Sequence, residues 1–183
     1  MRVALIGSGN AFFKDEGVGL YAAKYFKENY TFTPELHIVD GGTLGFGLMP
    51  LLQEFDYVII VNTSSSDDKT PGSIEVIDDE ALMAQHGAKK TANEVEIAEM
   101  LQICSMADHV AKTYIVSIVP EDIIAVEVGL SPIIMQQWGA YIEAVLNVCE
   151  TVGLTCKAKK EQMRLEDILD IFANPSHEKG RHF

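Results

Sequence analysis

Two adjacent acids, Asp15 and Glu16, lie between two glycine pairs. Ahead of them runs Val3-Ala4-Leu5-Ile6-Gly7-Ser8-Gly9-Asn10; behind them come Gly17-Val18-Gly19 and the periodic segment Leu20-Tyr21-Ala22-Ala23-Lys24-Tyr25-Phe26. That order reads as strand, loop, helix, the first unit of an α/β sheet. In such sheets ligands sit beyond the carboxyl ends of the strands. Acids at that place are either solvated turn residues or carboxylates offered to a metal. The glycines also suggest a dinucleotide site, but the third fingerprint position is Phe12. A bulky residue there blocks helix–strand packing and pyrophosphate approach. Two acids at a helix start would also repel phosphate.

Further strand ends bring more candidates to the same edge. Glu35-Leu36-His37-Ile38-Val39-Asp40 reads as a strand running into Gly41-Gly42-Thr43-Leu44-Gly45. Asp56-Tyr57-Val58-Ile59-Ile60-Val61-Asn62 is apolar enough for a central parallel strand, and it ends on Asn62. Ser73 to Ile77 suggests a short edge strand, and Tyr114 to Val119 another buried one. Asp78-Asp79-Glu80 suits a helix N-terminus. Asn93 is placed to cap a helix over residues 94–103. Residues 123–128 read as strand or extended chain. Ser131-Pro132 opens a long helix through Trp138 to about Thr151. Arg164 to Phe172 has the period of one more amphipathic helix, and residues 174–183 read as a frayed end.

The chain has 183 residues and a formal net charge of -13. That length suits one α/β domain over residues 1–152, with residues 153–183 as a helical or frayed extension of it. The charge argues against nucleic acid and anionic membranes as partners. The N-terminal apolar run is too short for a signal or membrane span, so a cytoplasmic protein is expected. Cys104, Cys149 and Cys156 lack metal or disulfide-framework spacing.

Taken together, Gly7-Ser8-Gly9-Asn10, Asp15-Glu16-Gly17-Val18-Gly19, Val39-Asp40-Gly41-Gly42-Thr43-Leu44-Gly45, Asp56 to Val61 and Gly87-Ala88-Lys89-Lys90 resemble the maturation endopeptidases of nickel-iron hydrogenases. The resemblance runs to about the helix after Pro132; the tail from Gly153 lies outside it. It implies a three-layer α/β sandwich, with a mostly parallel sheet and helices on both faces. It implies a hydrolase that removes a C-terminal extension from the hydrogenase large-subunit precursor after nickel insertion. It also implies three metal-contacting positions: Glu16, Asn62 and Asn93. Glu16 would act catalytically through the metal, and Asp40, Gly41, Gly42 and Thr43 would contact substrate.

Two of these positions depart from the family pattern. Asn62 stands where the family has an acid, and Asn93 where it has a histidine. Each change weakens a transition-metal ligand. Nickel is therefore expected as cargo of the precursor, held weakly or not at all by the free protein. The same departures raise an alternative: a non-catalytic relative that binds the large subunit as a chaperone or checkpoint. A third reading is a small-molecule or nucleotide-binding α/β protein.

Each candidate also has a structural explanation. Glu16 can be a solvated loop acid, Asn62 a strand-end residue bonded to backbone, Asn93 a helix cap and Asp40–Thr43 a turn. His86 is a possible substitute ligand. His37 is packed or exposed in its strand, His109 has no evident partner, and Trp138 belongs to the core. His177 and His182 are expected in solvent.

Overall fold

The computed structural model describes residues 1–42, 45–64, 68–85 and 92–177, without the side chains of Ala92, Asn93 and His177. Strands β1 (Val3–Ser8), β3 (Leu36–Gly42), β4 (Tyr57–Thr63), β5 (Ile74–Asp78) and β6 (Lys112–Ile118) form one sheet. Its order is β3-β1-β4-β6-β5. Four strands are parallel, and β5 runs antiparallel at the edge. Two short strands, β2 (Tyr30–Thr33) and β7 (Thr155–Ala158), pair separately.

Side-chain alternation sorts the sheet into two cores. Leu5, Ile59, Val61 and Val116 face helices α1 (Val18–Asn29), α5 (Pro132–Thr151) and α6 (Leu165–Ala173). Ile6, Val58, Ile60 and Ile115 face the opposite layer, made by α2 (Met49–Glu54), α3 (Asp79–Ala84) and α4 (Ala92–Cys104). The outcome is the expected three-layer α/β sandwich. Trp138 lies in the first core, edge-on to Tyr25.

Helix α1 is pressed onto the strand ends by glycine. A Cβ at Gly19 would lie 2.3 Å from the Val61 carbonyl oxygen and 2.4 Å from that of Ser8. A Cβ at Gly7 would lie 2.4 Å from the Gly19 carbonyl oxygen. These residues therefore set how closely the first helix, and the turn ahead of it, approach β1 and β4.

Beyond residue 152 the chain is built into the same body. Leu154, Leu165 and Ile168 join the core on the α1 side, and Phe172 meets Tyr21 edge-on at 5.0 Å. The Asn29 side chain accepts from the Met163 N–H and donates to the Met163 carbonyl, at 2.6 and 2.9 Å. The β2–β7 ribbon has no counterpart in the sequence reading, because its four-residue strands are too short to show a period. Asn93 corrects the capping expectation: α4 already includes Ala92, so Asn93 lies inside its first turn.

Gly19→Ala weighs helix propensity against overlap. Propensity favours alanine by about 1 kcal/mol. Overlap with two backbone oxygens costs more, so the variant should lose about 3 kcal/mol in urea unfolding. A gain in stability would show that α1 does not rest on the strands as described.

Candidate functional site

Between β1 and α1 the chain makes a 3-10 turn, Lys14–Gly17. This turn carries both acids, and the structure gives them opposite roles. Asp15 is fully buried, while Glu16 is half-buried. The Asp15 carboxylate accepts four hydrogen bonds. Oδ2 takes the N–H groups of Glu121 and Asp122 at 3.0 and 2.9 Å, and the Ser131 hydroxyl at 2.7 Å. Oδ1 takes the Ser131 N–H at 2.6 Å. Ser131 precedes α5 at the cap position, yet its hydroxyl makes no cap bond and turns to Asp15 instead.

The backbone adds to this clamp. Asp15 N–H donates to the Asp122 carbonyl, and Lys14 N–H to the Glu127 carbonyl. Lys14 Nζ lies 2.9 Å from the Glu127 carboxylate. Lys14 itself has φ +41°, the left-handed region that costs an ordinary residue about 1 kcal/mol or more. These contacts lock residues 13–16 against residues 121–131. Residues 123–128 are not the expected strand or extended segment: they run through bends closed by the Asp122 side chain, with one parallel bridge between Phe13 and Glu127. On the other side, Glu16's carbonyl accepts from the Asn10 N–H at 3.2 Å.

Glu16 is thus held by its backbone while its side chain is left for other work. Desolvation raises its carboxyl above the ordinary glutamate value. Asp40, exposed at the end of β3, is also raised by desolvation, against a lowering bond from the Gly42 N–H. Gly41 is the extra residue of a bulge where β3 passes Gly7 and Ser8. A Cβ there would meet Ile6 Cγ2 at 2.7 Å. Gly42 has φ +46°, and its carbonyl accepts from the Gly9 N–H. Thr43 lies outside the described residues, as do His86 and residues 87–90.

Asn62 is buried near the end of β4, paired in register with Ser117 of β6. The Ser117 hydroxyl donates to Asn62 Oδ1 at 2.6 Å. The amide oxygen that would face a metal is therefore already an acceptor. The Asn62 carbonyl lies 3.2 Å from the Tyr141 hydroxyl, a phenol that burial pushes well above its usual value. By alternation with Ile6, Ile60 and Ile115, residues Ser8, Asn62 and Ser117 point toward the α4 layer. The side chain of Asn93 lies outside the described residues.

Among the described residues, no three His, Cys, Asp or Glu side chains come together as a metal site. Glu16 supplies one strong ligand type, and Asn62 a neutral oxygen with a partner. His37 is exposed and packs its ring 5.4 Å from that of Phe55, and the His109 Nε2 sits 2.9 Å from the Phe55 carbonyl. Neither serves the strand-end edge.

Two residues escaped the sequence reading. Asp15 looked equivalent to Glu16, because its partners lie 106–116 residues away. Glu96 is the second. It follows Asn93 by one helical turn and lines a small pocket with Ile6, Ser8, Leu48, Ile60 and Met100. Its spacing from Asn93 was the available signal.

Comparison with known proteins gives a consistent result. The family described as HycI, hydrogenase maturation protease, matches residues 20–148. The hydrogenase expression/formation protein HupD of Rhizobium leguminosarum bv. viciae is 25% identical over 182 residues, covering 92% of this chain and 84% of that one. The hydrogenase 2 maturation protease of Escherichia coli is 25% identical over 155 residues, covering 84% and 94%. The structure of the hydrogenase maturating endopeptidase HybD from E. coli superposes with a TM-score of 0.79 at 24% identity, over 87% of this chain and 98% of that one.

Removing the Ser131 hydroxyl should cost about 2 kcal/mol, the range for a bond to a charged group rather than for a lost cap. Urea unfolding of Ser131→Ala measures this; Ser131→Thr should recover most of the loss. For Glu16 the sign follows from its raised carboxyl: ionisation opposes folding at neutral pH. Glu16→Gln should therefore raise the melting temperature at pH 7. The gain should close below about pH 4.3, where the folded and unfolded acids both hold the proton. Calorimetry showing the reverse pH dependence would remove the desolvation argument.

Proposed function

Because the chain belongs to the hydrogenase maturation protease family, we propose that it removes the C-terminal extension of a nickel-loaded hydrogenase large-subunit precursor in the cytoplasm. The observation that carries this reading is Glu16, a half-buried carboxylate on a clamped turn at the carboxyl edge of the sheet. Nickel enters as cargo of the precursor. Glu16 then offers it an oxygen ligand, and Asn62 and Asn93 stand beside it as neutral groups. The Asp40–Thr43 loop contacts the precursor chain. Glu16 thereby registers the precursor against the sheet edge, which is positioning in the sense that holding reactants together lowers a barrier. Among the described residues no three His, Cys, Asp or Glu side chains gather as a metal site, so the nickel in this reading is the precursor's own.

The bond from Ser117 to Asn62 favours a second reading. A site whose second ligand position is a hydrogen-bonded amide suits recognition without cleavage. The protein would then hold the large subunit as a checkpoint.

Intact mass of the precursor decides between them. A nickel-loaded precursor should lose one discrete C-terminal peptide on incubation, and Glu16→Gln should abolish the loss. Nickel-free precursor should stay whole. An unchanged mass with a complex still formed on size exclusion supports the checkpoint. Neither cleavage nor complex rejects both readings.

A further inference from the structure

The clamp that fixes Glu16 also displays apolar surface. Phe12 is 68% exposed, Ile124 83% and Val126 77%. The parallel bridge between Phe13 and Glu127 sets the register of the two segments. One residue back on each, Phe12 and Val126 flank that bridge, and Ile124 lies two residues before Val126, in the turn that the Asp122 side chain closes. Val128, by contrast, is partly buried against the core.

This rim is held in shape. Asp122 Oδ1 accepts from the N–H groups of Ile124 and Ala125, at 2.9 and 3.0 Å. Asp15 binds the N–H groups of Glu121 and Asp122. Several hydrogen bonds thus present three bulky apolar side chains to water at a fixed spacing. Grouped exposure of that kind marks a binding surface, whereas single exposed apolar residues do not.

The surrounding charge selects the occupant. Besides the buried Asp15, the two segments carry Glu16, Glu121, Asp122 and Glu127 against Lys14 alone, and Lys14 is engaged by Glu127. An acidic flank around an apolar centre attracts a cationic, apolar polypeptide and repels an acidic one.

We infer that the rim of Phe12, Ile124 and Val126, beside Glu16, docks an apolar segment of the precursor that carries lysine or arginine. This rests on the large-subunit precursor being the bound protein. The rim supplies the apolar anchor, and the acids set the orientation and speed of encounter. A segment seated there lies next to the turn that carries Glu16, so docking and nickel contact draw on one preformed unit. Preforming it lowers the ordering cost of association.

Titration of nickel-loaded precursor into the full-length protein, with the cleavage assay run in parallel, tests this. Ile124→Ser with Val126→Ser should weaken binding about tenfold, the usual scale for losing buried anchors, without lowering the melting temperature. Glu121→Lys should slow association and leave dissociation unchanged, as charges at an interface rim do. Met106→Ser, at an 88% exposed position after α4, serves as the control and should bind as the parent does. Parent-like binding by the double variant, while the parent binds or cleaves, overturns the docking surface and leaves the proposed function standing. Binding equally weakened by Met106→Ser also overturns it. A parent protein that neither binds nor cleaves the precursor defeats the proposed function, and with it this occupant.

Discussion

A buried carboxylate with four donors is the contact on which the site depends. Burying a carboxylate without partners costs several kcal/mol, so Asp15 is tolerable only where donors converge. They come from two places far along the chain: the N–H groups of Glu121 and Asp122, and the N–H and hydroxyl of Ser131. The acid ties the β1–α1 turn to the loop after β6 and to the start of α5. Lys14 keeps its left-handed backbone because these contacts over-determine it. Glu16 is the next residue, and its placement follows.

The glycines do the complementary work from below. Gly7 and Gly19 let α1 touch the backbone of β1 and β4, leaving no space for a Cβ. Gly41 and Gly42 bend the end of β3 around the end of β1. The turn with Glu16 and the loop with Asp40 therefore meet at one edge. Both carboxyls are partly desolvated there and raised for the same reason. A low-dielectric edge with acids on rigid backbone suits recognition of a cationic or metal-bearing partner.

Much of the fold was legible in the sequence. Apolar runs such as Val58 to Val61 announce central strands, and Ser131-Pro132 announces the long helix at its observed start. The edge strand near Ile74–Asp78 and the acidic helix start at Asp78-Asp79-Glu80 were also readable from local pattern. What escaped was non-local. The four-residue β2 and β7 find each other across more than a hundred residues. Asp15 and Glu16 are alike in type and adjacent, and only tertiary partners separate the buried anchor from the half-buried acid. The Ser131 side chain reads as a helix cap and is used as a donor to Asp15 instead. For Asn93, pattern placed the residue just ahead of α4, one or two positions from where it stands.

The two asparagines set how the site can treat nickel. Asn62 replaces a charge with an amide already bonded to Ser117. Asn93 carries no imidazole. Under the proposed function Glu16 is the one strong ligand of the three, and nickel arrives held by the precursor. Calorimetric titration of Ni²⁺ into the free protein, beside the Asn62→Asp, Asn93→His double variant, tests this most directly. The parent should show no stoichiometric heat at micromolar metal, and the folded double variant should gain a single site. Tight binding by the parent, or no gain in the folded double variant, would contradict a site that depends on nickel brought by its substrate.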